Sequence, residues 1–322
     1  MQFQHIMKTS MINYNLLNYL DVSTKNFPFS FQSYYVDYVN ETLKGNVFIF
    51  EFEKSYLCFS VRSKFGFRFV HLISEIYTQA NNGVDYERFY KALMDYSLKN
   101  SISVIFPPQH LHTFKKYPID SSFYELGIIT MSLQPTIEEI FALFKPVYRR
   151  HIRSAEKAGV VVEIGKHLFD EFYEFYQSQM VLNNAVYDQK KSLFKILNSV
   201  KSNAVCAVAR LNGKIEAVLF NLNDSVNAYY MWGASVKGAH NGSFRLLHWE
   251  LMKLYKKQGL SYYSLGGYRY KQNKTIKQEK LENFKLGFGS IINDGYHFIW
   301  VLRPFHYKIY KKISSLLHFL RK

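Results

Sequence analysis

Only two cysteines occur in the 322 residues, Cys58 and Cys206, and both lie in apolar, strand-like runs. That placement excludes a disulfide framework and reads as reduced core side chains of a cytosolic protein. The eleven histidines show neither HxxxH nor CxxC-type spacing, so no bound metal is expected. Residues Met1–Ser10 lack the apolar run of a signal peptide, and no segment approaches roughly 18 uninterrupted apolar residues. Low-complexity tracts and short-period repeats are missing too. The chain is also short of acids, with 25 Asp and Glu against 41 Lys and Arg and a formal charge of +16. That surplus points to a polyanionic partner: RNA, an anionic membrane face or a phosphorylated substrate.

Against these absences stands a large apolar content. Hydrophobic residues make up 48% of the chain, which excludes a disordered protein and suffices for packed interiors. The length suggests two domains. Aromatics are abundant, with 26 Tyr and 28 Phe; most must be core, but tyrosines also suit stacking on sugars or bases.

Three apolar runs in residues 46–75, NVFIFEF, YLCFSVR and FGFRFVHLI, predict an antiparallel meander. Asp85 is placed to cap a helix whose inner stripe is Tyr86, Phe89, Tyr90, Leu93 and Met94. Strands are expected at 103–106 and 123–133. Thr136 and Glu139 have capping-box spacing, and Pro146 ends that helix at an expected domain hinge. The next helix, 147–159, turns Tyr148, Ile152 and Ala155 inward. Arg149, Arg150, Arg153 and Lys157 form its outer surface, offset by Glu156 alone: an anion-facing surface or an ordinary solvated face. Asp188 is placed to cap a helix running to about Val200. Asn212-Gly213 predicts a type I′ hairpin. Strand 227–235, glycine-bearing loop 237–243, a helix closed by Gly259 and strands 261–265 and 291–301 complete a mixed α/β pattern. The tail puts Ile309, Ile313, Leu316, Leu317 and Leu320 on one stripe beside Lys308, Lys311, Lys312, Arg321 and Lys322. It either packs on the first domain or lies flat on an anionic bilayer.

The stretch 262–289, YYSLGGYRYKQNKTIKQEKLENFKLGFG, carries the densest signal. It predicts a strand running into a Gly266-Gly267 turn, a polar loop, then Phe284-Lys285 packed against Gly287 and Gly289. Adjacent glycines allow positive φ and close approach of a ligand. A lysine held there is a fixed positive charge for a polar reaction centre, or a solvated lysine at a strand–loop–helix corner.

Three blocks together resemble the FemAB-like proteins: ITMSLQPTIEEIFALFKPVYRRHIRSAEKAGVVV (129–162), YYMWGASVKGAHNGSFRLLHWELMKLYKKQG (229–259), and YYSLGGY followed by LENFKLGFG. The resemblance implies an α/β (α+β) fold of two tandem acetyltransferase-like (GNAT) domains, mixed sheets flanked by helices. The expected division is 1–145, the acceptor side; 146–296, the catalytic domain; and 297–322, a basic amphipathic segment packing on the first domain. It implies transfer of an acyl group from acyl-CoA or acetyl-CoA to an amine, on an amino sugar or lipid-linked glycan precursor of the cell envelope. Aminoacyl-tRNA is the alternative donor. A cytoplasmic location follows, with peripheral contact at the inner face of an anionic membrane as a further expectation. A non-catalytic RNA- or membrane-binding protein with this fold is the contrasting class.

By the same resemblance Lys285 stabilises the oxyanion and Phe284 stacks on the donor. Gly238, Gly242 and Ser243 either offer backbone N–H groups to a pyrophosphate at a helix N-terminus or form an ordinary turn, and Gly266 and Gly267 also lie at the donor. Arg149, Arg150 and Arg153 bind phosphate or RNA, and Tyr230 and Tyr268 line the acceptor groove, with core or surface-turn positions as the alternatives. Glu216 and Asp294 are candidate bases, with a charged rim as the alternative for each. Two departures stand out: Ser264 replaces the Asp of the family's D-x-G-G turn, and the coiled-coil insertion of some tRNA-using members is missing.

Overall fold

The computed structural model describes residues 15–17, 27–109, 111–199, 203–270 and 274–319. Expectations for Met1–Ser10, the helix end at Val200, residues 271–273, and Leu320, Arg321 and Lys322 lie outside the described residues, as does the side chain of Leu317.

In the first half, β1 (Asn15–Leu17), β2 (Asn46–Phe52), β3 (Ser55–Lys64) and β4 (Phe67–Leu72) pair in succession, all antiparallel. The predicted meander is β2–β4. β5 (Tyr77–Thr78) pairs with β3, and β6 (Ile102–Phe106) joins β4 in parallel. Helix α1 (Ser33–Leu43) precedes the meander, and α2 (Tyr86–Lys99) starts where the Asp85 carboxylate accepts from Arg88 N at 3.2 Å.

The second half begins with β7 (Ser122–Ser132), α3 (Ile137–Leu143), α4 (Pro146–Lys157), β8 (Val161–Gly165), α5 (Phe169–Leu182) and α6 (Lys190–Asn198). It continues with β9 (Val205–Leu211), β10 (Lys214–Asn223), β11 (Asn227–Ser235), α7 (Ser243–Lys257) and β12 (Tyr262–Arg269). Helix α8 (Ile276–Leu286), β13 (Ile291–Asn293), β14 (Tyr296–Val301) and α9 (Pro304–Phe319) close the chain. Asn212 and Gly213 both take positive φ, 51° and 75°, as a type I′ turn requires.

Among the described residues the strands form one mixed sheet in the order β1-β2-β3-β4-β6-β14-β7-β12-β11-β10-β9-β8. β14 is the splice. Its Trp300 and Val301 pair with Ile105 and Val104 of β6, while Tyr296–Ile299 pair with β7. Phe298 and Trp300 therefore lie in the first core, with Phe50, Phe59, Phe89 and Leu93. A second core gathers Ile129, Ile140 and Phe144 with Tyr148, Ile152, Leu247, Leu251 and Tyr255. Residues on both sides of Pro146 thus share one interior, and the helix break falls inside it. A third core joins the halves, packing Phe29, Phe31 and Tyr35 against Phe172, Tyr176 and Phe220. Each buried phenylalanine contributes roughly 1.5–3 kcal/mol.

Three local expectations are corrected. Asp188 does not cap α6, whose N-cap is Gln189 without a side-chain bond. Its carboxylate instead accepts from Tyr38 OH at 2.8 Å and Trp232 Nε1 at 2.7 Å. Two side-chain donors delivered by tertiary packing displaced the local backbone bond. Gly266-Gly267 is not a turn: β12 runs through it to Arg269, and Gly266, at φ +85°, sits where the register with β7 shifts, a bulge. Finally, α9 packs on the first half through Tyr310, 4.5 Å from Phe69, and Tyr307, 6.3 Å from Phe106. Aromatic neighbours on β4 and β6 draw these tyrosines inward, so Leu316 of the expected inner stripe is 60% exposed.

Candidate functional site

β11 and β12 pair in parallel at only three positions, ending at Tyr229 opposite Ser264. Beyond that point β11 stays with β10 and β12 stays with β7. The two strands therefore diverge and leave a wedge in the sheet. Tyr230 stands on one wall, the Gly266 bulge on the other, and α7 and the end of α8 line it.

Helix α8 is launched by a reciprocal capping box between Thr275 and Gln278. Its end is fixed by α4. Tyr148 OH donates to Phe284 O at 3.0 Å, and Lys145 N donates to Gly287 O at 2.9 Å. A Cβ on Gly287 would overlap Tyr148, 2.2 Å from its Cζ, and one on Gly289 would overlap Leu143 O. The glycines of the F-K-L-G-F-G run are steric seats for α3 and α4.

Lys285, on the last turn of α8, is 7% exposed. Its Nζ donates to Gly267 O at 3.2 Å and lies 3.5 Å from where a Cβ on Gly266 would stand. The bulge glycine thus opens the space in front of the ammonium. Glu282, one turn earlier, accepts from Arg269 N at 2.7 Å and pairs with Lys274 at 2.6 Å. Burial pushes Lys285 down to about 8, against the opposing pull of Glu282. An ammonium has three donors, and the described bonds engage one of them.

Phe284 is half-buried and stacked on Phe244, with centroids 5.5 Å apart and planes at 23°. The Arg245 guanidinium lies 5.5 Å from the Phe284 ring and 4.3 Å from that of Tyr148. Behind this plate His248 is fully buried, with Tyr230 and Phe244 each at 5.0 Å and Phe288 at 5.3 Å. Its Nδ1 is 2.9 Å from Tyr263 OH, which accepts from Asn221 Nδ2 at 3.1 Å; its Nε2 has no hydrogen-bond partner among the described residues. Burial, then Lys285 and Arg245, push His248 down to about 3, so it is neutral. The sequence reading missed it. The available signal was a histidine beside the inward Leu247, Leu251 and Tyr255.

Loop 237–243 is closed on itself. Gly242 N donates to His240 Nδ1 at 3.1 Å, and Ser243 N to His240 O at 3.0 Å. His240 N and the Ser243 hydroxyl both donate to the Glu216 carboxylate, which projects from a bulge in β10. A protein carboxylate thus sits beside the loop where the sequence reading placed a pyrophosphate, and it engages the His240 amide and the Ser243 hydroxyl. Gly242 is instead a packing seat, since a Cβ there would overlap His151 O of α4. Only Gly238, at φ +90°, faces open space.

The basic residues of α4 are not gathered at Lys285. Arg149 Nη1 donates to Ala142 O and Phe144 O, at 2.6 and 2.5 Å, closing the end of α3. Arg153 lies 5.4 Å over Phe141, and Arg150 is exposed. Tyr268 lies under Lys274 at 3.9 Å, and Asp294 is exposed and accepts from Tyr270 OH. Ser264, in place of the carboxylate, accepts from Gly266 N at 3.4 Å and caps the bulge.

Glu75 is the carboxylate the sequence reading overlooked. Half-buried, it is pushed up to about 7 by burial and then by Asp224, while the Thr113 amide bonds to it. Asp224 accepts from Tyr229 OH at 3.0 Å. Leu111, two residues before Thr113, has its Cδ2 3.6 Å from the Cβ position of Gly266. Segment 111–113 therefore touches both the Lys285 wall and Glu75. Three distant stretches of chain build this arrangement, which no local pattern announces. Among the described residues no group of three His, Cys, Asp or Glu is placed to hold a metal ion.

Residues 144–272 match the family model described as acetyltransferase (GNAT) domain. FemX has a similar fold, with TM-score 0.69 and 13% identity over 92% of this chain and 99% of that one. A conserved protein of unknown function from Bacteroides thetaiotaomicron gives 0.59 and 10%, over 90% and 100% of the two chains. The L-PGS structure from Bacillus licheniformis gives 0.53 and 12%, over 77% and 81%. At these identities the fold is what is shared. No curated protein matches the sequence.

Proposed function

Since the chain is an acyltransferase of the GNAT superfamily with FemAB-like architecture, we propose that it moves an acyl or aminoacyl group from an ester or thioester onto an amine, with Lys285 facing the carbonyl. The amine nitrogen bonds to the carbonyl carbon, the C–O or C–S bond breaks to release an alcohol or thiol, and the proton lost by the amine balances the one the leaving group takes up. Charge builds on the carbonyl oxygen on the way. A preformed ammonium in a water-poor wedge stabilises that charge by several kcal/mol. The observation that carries this reading is the buried Lys285 Nζ, bonded to one carbonyl and fronted by a glycine bulge.

Phe284, held flat by Phe244 and Arg245, offers the donor a stacking face. Glu75, poised near neutrality beside Asp224, suits a base that draws in a cationic amine and takes its proton. The GNAT domain supports acyl-CoA as donor. Closure of loop 237–243 favours the alternative, an aminoacyl-tRNA, because two of the three expected pyrophosphate donors, Gly242 N and Ser243 N, are bonded to His240. Likeness to FemX and L-PGS supports an acceptor in the cell envelope.

The test is turnover of labelled acetyl-CoA and of aminoacyl-tRNA against a panel of amino sugars and amine-bearing lipids. Lys285→Ala should lower turnover at least a hundredfold while the protein stays folded. Undiminished function in that variant, with loss on charge reversal of Arg150, Arg153 and Lys157, would instead identify a non-catalytic binding protein.

A further inference from the structure

The outer face of α9 sets exposed apolar residues among lysines. Phe305 and Leu316 are 73% and 60% exposed. They lie on one side of the helix, at i and i+11, with Lys308 and Lys312 between them and Lys311 alongside, all three lysines exposed. No acidic residue follows Asp294 in the sequence. The inner face is already occupied, by Tyr307 and Tyr310 against Phe106 and Phe69. The outer apolar residues are therefore not awaiting burial against this half of the molecule.

The tip of the β3–β4 hairpin flanks α9. Phe65, at its tip, is 44% exposed and lies 6.3 Å from Tyr310, with Lys64 Nζ 5.2 Å from its ring. Large apolar side chains ringed by lysines, without acids, match the boundary of an anionic bilayer, where rings enter the headgroup layer and ammonium groups meet lipid phosphates. A nucleic acid would use the lysines and stack on Phe305, but it offers the aliphatic Leu316 no partner.

We propose that α9 and the Lys64–Phe65 hairpin tip dock the protein on an anionic phospholipid surface. Among the described residues no helix is long and apolar enough to cross a membrane, so the contact is peripheral. This inference stands apart from the acyl-transfer reading.

The experiment is co-sedimentation of the full chain with vesicles of phosphatidylglycerol and phosphatidylcholine, and with vesicles of phosphatidylcholine alone. Binding is expected only to the anionic vesicles and should weaken as salt rises. Replacing Lys308, Lys311 and Lys312 together by Glu should abolish it, each lost lysine alone lowering partitioning about fivefold. The pair Phe305→Ser and Leu316→Ser should weaken it at unchanged charge. Thermal unfolding and circular dichroism check that both variants fold. Equal binding to neutral vesicles, no vesicle binding, or a lysine triple variant that loses tRNA binding but keeps vesicle binding would each overturn the proposal.

Discussion

Tyr148 and Gly287 fit one another so closely that no side chain can be added between them: a Cβ on Gly287 would stand 2.2 Å from the tyrosine Cζ. The same phenol donates to Phe284 O, so one contact seats both the aromatic plate and Lys285. Gly287→Ala should destabilise the protein by about 1–3 kcal/mol, the usual range for overpacking, and lower turnover further by displacing Lys285. Tyr148→Phe keeps the ring and removes one hydrogen bond, so about 1 kcal/mol is expected. Denaturant unfolding beside steady-state rates separates the two effects.

Lys285 makes a pH prediction with a definite sign. The ammonium is the active form, so activity should fall as pH rises through about 8. Stability should move the other way. The native group releases its proton near 8 while the unfolded one holds it to 10.5, so the unfolded state binds more protons between those values and stability rises across them. Lys285→Met should abolish that rise, lose activity, and be the more stable protein at neutral pH. Unfolding curves from pH 6 to 10 and a rate profile check both limbs.

Glu216→Gln should loosen loop 237–243, because a neutral amide is a weaker acceptor for His240 N and the Ser243 hydroxyl. If the carboxylate is what excludes phosphate from this helix end, the variant should bind coenzyme A more tightly than the parent. Calorimetric titration of both proteins decides it.

Glu75→Gln should remove the acid limb of the rate profile, which in the parent should rise as pH passes about 7 and the carboxylate deprotonates. The fold should survive, because an amide still accepts from the Thr113 amide.

Asp188 joins Tyr38 of the first half to Trp232 of the second. Asp188→Ala leaves both donors without their acceptor and should cost about 2–6 kcal/mol in all, 1–3 for each orphaned group. Circular dichroism in denaturant measures it.

Local chemistry was readable in advance where a few neighbouring residues decide the outcome. The cap at Asp85, the Thr136–Glu139 box, the Asn212-Gly213 turn and the inward face of α4 were all legible. Position failed where distant partners compete. Asp188 looked like a cap until Tyr38 and Trp232 arrived, and Gly266-Gly267 looked like a turn until β7 extended beside it. Lys285 stood out because glycines surround it in sequence. His248 and Glu75 did not, because their surroundings are assembled from strands and loops far apart in the chain.

Because β14 hydrogen-bonds to β6 at one end and to β7 at the other, the halves are welded along a continuous backbone ladder. Opening them like jaws would break that ladder, so substrates must enter by displacement of loops and side chains. Any change in substrate preference among proteins built this way would accumulate in the loops around the wedge, leaving the spine of strands alone.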